Sequence, residues 1–159
     1  MPFLIDGHNL LHSIHKATED FESLSEIQLC RIVTRYLTQI GERGEMIFDG
    51  TGPQDKSPFE NMGDLEVAFA GLGTDADTVI EQKIRISTAP RRLTVVSSDR
   101  RLRRAAQKRK ATAVRSDVFW SDVQKQLRRR TKAREPAEKR FGLSESETQQ
   151  WLEFFGLEQ

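Results

Sequence analysis

The feature that most constrains this fold is a regular alternation of short apolar segments with longer segments of helical periodicity. The short segments are rich in β-branched and aromatic residues, as strands are, and lie at about residues 2–6, 45–48, 65–70, 93–96 and 112–114. Helical periodicity with N-cap signals covers about residues 25–40, 75–88, 99–110 and 116–132. This alternation predicts an α/β fold, in which a doubly wound, mostly parallel sheet carries helices on both faces.

Two segments depart from the alternation. The pair Asp6-Gly7 is typical of a turn, so we expect a loop between the first strand and the helix that begins near Ser25. Near the C-terminus, capping-box spacing at Ser144 precedes a compact apolar run around Trp151. The chain length suits one domain. We therefore expect a domain over residues 1–132, followed over 133–159 by a basic linker and an amphipathic helix that docks on the domain or, alternatively, on a partner.

Cysteine usage and the N-terminal sequence bear on the compartment. The single cysteine, Cys30, lies in a helical apolar pattern, where a buried thiol is the expected reading. Met1 leads directly into the first strand, without a basic region and a long apolar run. We expect a protein of the reducing cytoplasm with no membrane association.

Aspartates follow three of the apolar segments. Asp6, Asp49 and Asp99 stand where strands are expected to end, and Asp75 and Asp77 flank the start of a helix. The carboxyl ends of parallel strands share one edge of the sheet, so these side chains are expected to meet in one crevice. The alternative is that each aspartate only forms a turn or caps the next helix.

Converging carboxylates repel one another unless a cation holds them. Carboxylate oxygens suit hard divalent ions such as Mg²⁺ or Mn²⁺. Ions held in this way orient and activate water, and they neutralise charge on a phosphodiester in the transition state. Hydrolysis of a nucleic-acid phosphodiester is the reaction that this pattern indicates.

The charge distribution is consistent with a polyanionic partner. Residues 1–90 contain 7 basic and 15 acidic residues, whereas residues 91–140 contain 18 basic and 5 acidic residues. Such a surplus is either a solvated face or the footprint of a phosphate-backbone binder. The basic side chains that cover the helix after Asp99, and that we expect to contact nucleic acid, include Arg100, Arg101, Arg103, Arg104 and Lys108.

Four segments together resemble a known family. In chain order these segments are Phe3-Leu4-Ile5-Asp6-Gly7-His8-Asn9-Leu10-Leu11, Phe48-Asp49-Gly50, Ala76-Asp77-Thr78-Val79-Ile80-Glu81 and Val95-Val96-Ser97-Ser98-Asp99. The pattern resembles the NYN branch of PIN-like nucleases, in particular the YacP-like group of bacterial ribonucleases, over about residues 3–120. The resemblance implies a three-layer α/β/α PIN-like fold and metal-dependent endoribonuclease activity. It also implies single-stranded RNA or ribosome-bound mRNA as substrate, with the ribosome as a candidate partner.

The resemblance also implies roles for individual residues. Asp6 is the metal ligand of the first strand, and Asn9 orients a ligand or a water. Asp77 and Asp99 are the further catalytic acids and metal ligands, and Asp49 lies at the edge of the site. Asp75 precedes the matching segment, and three roles stay open for it: coordination, an outer position, or capping of the helix.

Three alternatives to this enzyme are considered. A non-catalytic RNA-binding module of the same fold is the main one, because a fold does not establish an activity. A phosphate-receiver domain is disfavoured because no lysine follows the last strand. A zinc site at His8 and His12 is disfavoured because no zincin motif accompanies them. Trp120 is expected in the core, and Phe59 is expected as a loop anchor or, alternatively, as a platform for base stacking.

Overall fold

A computed structural model describes residues 2–17, 21 and 23–134, and within them a single five-stranded parallel sheet. The strands are β1 (Phe3–Asp6), β2 (Gly44–Phe48), β3 (Leu65–Phe69), β4 (Thr94–Val96) and β5 (Thr112–Val114). Their order is β3-β2-β1-β4-β5, and every neighbouring pair is parallel. The chain therefore builds outward from β1 to β3 and then returns to the other side of β1 for β4 and β5.

Helices cover both faces of this sheet. They are α1 (Gly7–Ala17), α2 (Glu26–Ile40), α3 (Ala76–Ile86), α4 (Arg100–Lys108) and α5 (Ser116–Arg134). Along the strands, alternate residues point to opposite faces. Ile5 joins the core formed with α1, α2 and α5, whereas Leu4 joins the core formed with α3 and α4. The predicted three-layer α/β/α architecture is confirmed.

The first helix differs from the expectation of a loop after Asp6. Helix α1 begins at Gly7, directly after β1, and buries Leu10 and Ile14. A Cβ atom on Gly7 would clash with the Phe48 ring, so glycine allows close packing here rather than a turn. The prediction of a loop was wrong because burial of the apolar face outweighs the turn preference of an Asp-Gly pair.

The capping signals of α2 predicted its ends correctly. Ser25 and Gln28 form the reciprocal capping box that opens α2, and Gly41 ends that helix with a φ of 72°. Trp120 is buried in the core, and Phe59 packs edge-on against Phe69. Both placements agree with the sequence-based interpretation.

The remaining expectations concern the chain ends and the thiol. Helix α5 runs through the expected domain boundary at residue 132 to Arg134, and the expected linker and C-terminal helix lie outside the described residues from 135 onward. Cys30 is buried as expected, and burial raises the pKa of its thiol. No helix of the described residues is long and apolar enough to cross a membrane.

Candidate active site

The candidate site lies where the chain reverses its path across the sheet, between β1 and β4. In open α/β sheets, the crevice outside the carboxyl ends of the strands at such a switch point is the usual ligand site. Asp6 ends β1, and Asp99 follows β4. Asp49 follows β2, on the other side of β1, and Asp77 lies in the first turn of α3. The topology thus brings the predicted acidic residues to one edge of the sheet.

Asp6 is buried, with 4% of its surface exposed. Burial raises the pKa of Asp6 from 3.8 to about 6, and the charges of Asp77 and Asp49 add to this effect. Hydrogen bonds donated by the Ser97 hydroxyl, at 3.0 Å, and by the Asn9 backbone N–H act in the opposite direction. The ionised carboxylate is therefore held in an environment that disfavours its charge.

Asp77 is half-buried and adjoins the other acids. Burial raises the pKa of Asp77, and the next causes are the charges of Asp99, Asp75 and Asp49. Arg101 acts in the opposite direction but more weakly. Because the charge of Asp77 contributes to the raised pKa of Asp6, a cation near these two carboxylates would offset the repulsion between them.

Asp75 and Asp99 both cap helices. Asp75 Oδ1 accepts the Thr78 backbone N–H at 2.7 Å, and hydrogen bonds from Thr78 lower the pKa of this exposed carboxylate. Asp99 Oδ1 accepts the N–H of Arg101 at 2.8 Å and that of Leu102 at 3.3 Å. Capping uses Oδ1 in each case, so both carboxylates cap helices, and any further role depends on the charge and on Oδ2.

Asp49 connects β2 to the start of α3. Its Oδ1 accepts the Ala76 backbone N–H at 2.7 Å, next to Asp77 in the chain. Its own backbone N–H donates to His8 Nδ1 at 3.2 Å, and His8 Nε2 lies 2.8 Å from Glu26 Oε2. The bond at Nδ1 requires the proton of a neutral His8 to be on Nε2, facing Glu26. Asp49 and His8 thereby link the end of β2 with α1, α2 and α3.

A hydrogen-bond network of serine and asparagine side chains supports the acidic residues, and the sequence analysis did not predict it. Ser97 Oγ donates to Asp6 and accepts the Asp99 backbone N–H at 3.1 Å, so one buried hydroxyl joins the two acidic residues. Asn9 Oδ1 accepts the Ser98 backbone N–H at 2.9 Å and the Ser116 hydroxyl at 2.6 Å. The sequence signal that could have indicated this network is the pair Ser97-Ser98, which lies between an apolar strand and Asp99. The oxygen of Asn9 is thus committed to the scaffold rather than to a ligand.

The donor set suits a hard cation in chemistry but is not a closed cage. Among the described residues, no three histidine, cysteine or acidic side chains are grouped so that they hold one ion, and this includes His8 and His12. Mg²⁺ generally retains several waters and takes one or two protein carboxylates together with substrate phosphate oxygens. An open pair of carboxylates is compatible with that mode of binding, whereas a structural zinc site would need a complete set of protein ligands.

Positive charge begins beside the acids and extends along α4. Arg101 is engaged within the protein, with its Nε 3.0 Å from Glu81 Oε2. Within the described part of the chain, no ion pair involves the other predicted contacts on this helix, which are Arg100, Arg103, Arg104 and Lys108. Of the five basic residues proposed from the sequence, only Arg101 therefore has an acidic partner in the part of the chain that the structure describes.

A cleft of about 530 Å³ lies at the opposite, amino edge of the sheet. Its lining includes Arg43, Glu45 and Lys83, and the Lys83 ammonium lies 3.1 Å from Glu45. The cleft contains none of the predicted acidic site residues. The acidic residues predicted from the sequence therefore lie at the carboxyl edge, outside this cleft.

Comparison with known proteins agrees with this fold. The crystal structure of Rae1 (YacP) from Bacillus subtilis superposes with a TM-score of 0.65 and 19% identity, over 98% of this chain and 92% of that one. A single-site mutant of the same protein gives a TM-score of 0.65 and 19% identity, over 92% and 89%. At this identity the likeness shows a shared fold. The search of curated proteins gives no match.

The family model that matches is that of the YacP-like NYN domain, over residues 3–154. The match extends beyond residue 120, where the resemblance read from the motifs ended, and it includes most of the C-terminal segment. The chain belongs to the YacP-like NYN family, a family of nuclease-like domains.

Proposed function

We propose that this protein is a divalent-metal-dependent endoribonuclease that hydrolyses RNA phosphodiesters. The observation that carries the proposal is the pair Asp6 and Asp77, whose pKa values are both raised by burial and by neighbouring acids at the switch point of the sheet. Titratable groups with shifted pKa values in a crevice are typical of functional sites. Membership of a nuclease-like family supports the same conclusion.

Mg²⁺ or Mn²⁺ is the cofactor that this donor set favours. Asp6 and Asp77 are the proposed ligands, with Asp99 as a third acid through its second oxygen, and Asp49 and Asp75 at the periphery. A bound ion would supply Lewis acidity at the scissile phosphate and a lowered pKa for a bound water. The protein's own contribution is orientation, because Ser97 and the Asn9 backbone hold the Asp6 carboxylate in place.

RNA is the proposed substrate, and the basic surface of α4 is its proposed binding surface. Contacts of lysine and arginine with phosphates are insensitive to base sequence, so α4 would position the strand rather than select it. Single-stranded RNA and ribosome-bound mRNA are the two forms to test. If the second form is the substrate, the ribosome is the partner and the cytoplasm is the place of action.

A non-catalytic RNA-binding module is the second candidate. The observation in its favour is that the acids of the described residues do not form a ready-made cage for an ion. This candidate predicts RNA binding without cleavage under every metal condition. The two candidates therefore differ in the product and not in the affinity.

The deciding experiment combines metal and variant. Labelled RNA, free and on translating ribosomes, is incubated with the protein in Mg²⁺, Mn²⁺ or EDTA. We expect internal cleavage with metal, none with EDTA, and none with Asp6→Asn or Asp77→Asn. Glu66→Gln is the matched control, because it removes an exposed carboxylate from β3 outside the candidate site. If the protein binds RNA but cleaves neither free RNA nor RNA on translating ribosomes, the non-catalytic alternative is established.

Asp99→Asn separates capping from chemistry. Asparagine caps a helix about as well as aspartate, so this substitution preserves the start of α4 and removes only the charge. Loss of cleavage with unchanged thermal stability would assign the Asp99 carboxylate to the metal site. Unchanged cleavage would restrict Asp99 to its capping role.

A further inference from the structure

A second basic cluster lies at the amino edge of the sheet, at the far end of α4 from the acids. Thr94 of β4 pairs with Thr112 of β5 in parallel register. Arg92 and Lys110 each lie two residues before these partners, and the Thr112 N–H donates to the Leu93 carbonyl oxygen at 2.9 Å, so the two chain segments are adjacent where the strands begin. Arg91 adjoins Arg92 in a short 3-10 turn. We call Arg91, Arg92 and Lys110 the amino-edge cluster.

The three side chains of the amino-edge cluster are exposed. No ion pair between any of them and an acidic side chain is found among residues 2–17, 21 and 23–134. The neighbouring Arg109 differs, because its guanidinium donates to the carbonyl oxygens of Ile84, at 3.0 Å, and Arg85 at the end of α3. Arg109 therefore stabilises the packing of α4 on α3, whereas the amino-edge cluster concentrates uncompensated positive charge.

The backbone at Lys110 supplies an independent observation. Lys110 has a φ of 64°, in the left-handed region that glycine usually occupies after a helix. Its N–H donates to Gln107, and the next N–H donates to Ala106, which closes α4. A side chain at this position lowers stability relative to glycine. A lysine here adds charge at a place where backbone energetics alone favour glycine, and such local strain is commonly found at functional positions.

We propose that the amino-edge cluster is a second phosphate-binding site, which holds the RNA strand about one helix length away from the point of cleavage. The proposal rests on the proposed function, because it assigns a path to the same substrate. From Asp99 to Lys110, α4 and its cap span roughly 16 Å at 1.5 Å per residue. A stacked strand advances about 3.4 Å along its axis per nucleotide. A strand that runs from the acids to the amino-edge cluster therefore needs about five nucleotides on that side.

The outward side chains of α4 connect the two ends of this path. Arg100, Arg104 and Lys108 are exposed and recur at intervals of four residues, which places them along one face of the helix. Lys108 lies close in sequence to Lys110. The acids, the face of α4 and the amino-edge cluster thus form one continuous route for a phosphate backbone.

The test uses RNA length and needs no cleavage. Affinities are measured in EDTA over a range of salt concentrations for single-stranded RNAs of about 4 and about 12 nucleotides, only the longer of which spans both ends of the path when its bases are stacked. The variant is Arg91→Gln, Arg92→Gln and Lys110→Gly combined. The control is Arg31→Gln with Lys125→Gln, which removes exposed basic charge from α2 and α5 on the other face.

We expect the wild-type protein to bind the longer RNA more tightly, and the variant to lose most of that gain. The slope of log affinity against log salt for the longer RNA should fall by about 2 in magnitude, at about 0.7 per phosphate contact on a single strand. The Arg31→Gln, Lys125→Gln control should still bind the longer RNA more tightly than the shorter one. A variant that keeps it, or that loses affinity equally for both RNAs, overturns the proposal.

Lys110→Gly alone excludes a merely structural explanation. Glycine relieves the left-handed backbone, so the midpoint of thermal unfolding should rise while affinity for the longer RNA falls. A fall in both would mean that the variant damages the fold, and would refute the role of Lys110. Because these measurements are made without metal, they are independent of whether the protein cleaves RNA.

Discussion

Replacing Asp6 with asparagine should make the metal-free protein more stable, in a way that depends on pH. The pKa of Asp6 rises from 3.8 to about 6, chiefly because the carboxyl group is buried. A tenfold change in proton affinity corresponds to about 1.4 kcal/mol. Ionisation of Asp6 therefore lowers the free energy of unfolding by about 3 kcal/mol once the pH exceeds the native pKa.

The direction of this pH dependence follows from the number of protons bound in the native and unfolded states. Below pH 3.8 the carboxyl group is protonated in both the native and the unfolded protein, so it contributes no difference. Between pH 3.8 and about 6 the native state holds the proton that the unfolded state has lost, and the free energy of unfolding falls as the pH rises. Asp6→Asn has no such titration. Its advantage over the wild type should grow from near zero to about 3 kcal/mol across this interval.

Urea unfolding at several pH values measures this difference, with Glu66→Gln as the control for loss of an exposed carboxylate. Mg²⁺ should remove most of this difference in stability, because an ion bound only by the native state at a hundred times its Kd adds about 2.7 kcal/mol. The wild type would gain this increment, and Asp6→Asn much less of it. An Asp6→Asn protein that folds cooperatively but is no more stable than the wild type at pH 8 would refute the reasoning.

Three other variants test the site and its support. One variant replaces four residues of α4 with glutamine: Arg100, Arg103, Arg104 and Lys108. It should bind RNA more weakly, and its slope of log affinity against log salt should fall by about 0.7 per lost contact, with little change in the cleavage rate at saturating RNA. An unchanged slope would mean that the RNA binds elsewhere. Ser97→Ala should lower the free energy of unfolding by about 1–3 kcal/mol, since it leaves the Asp99 N–H without its acceptor; urea unfolding would detect this, and no change would mean that water replaces the hydroxyl. Gly7→Ala should cost about 1–3 kcal/mol because its Cβ meets the Phe48 ring; a stable variant with full activity would show that the contact relaxes freely.

The positions of the acids could be predicted from the sequence because strand ends are visible as breaks in apolar runs. Asp6, Asp49 and Asp99 follow such runs, and parallel pairing brings their ends to one edge. The distinction between an acid that caps and an acid that is buried could not be predicted in this way. Asp99 accepts two backbone N–H groups at the start of α4, whereas Asp6 is enclosed by neighbours distant in sequence.

The sequence by itself determined the alternation of strands and helices, the caps of α2 and the charge of α4, because each depends on residues close together in the chain. Only the tertiary structure decided that α1 starts at Gly7, since that depends on the fit of a glycine against the ring of Phe48. It also decided that Ser97 joins Asp6 to Asp99. Burial and hydrogen bonding between residues about ninety positions apart are set by packing across the sheet, and no local pattern encodes them.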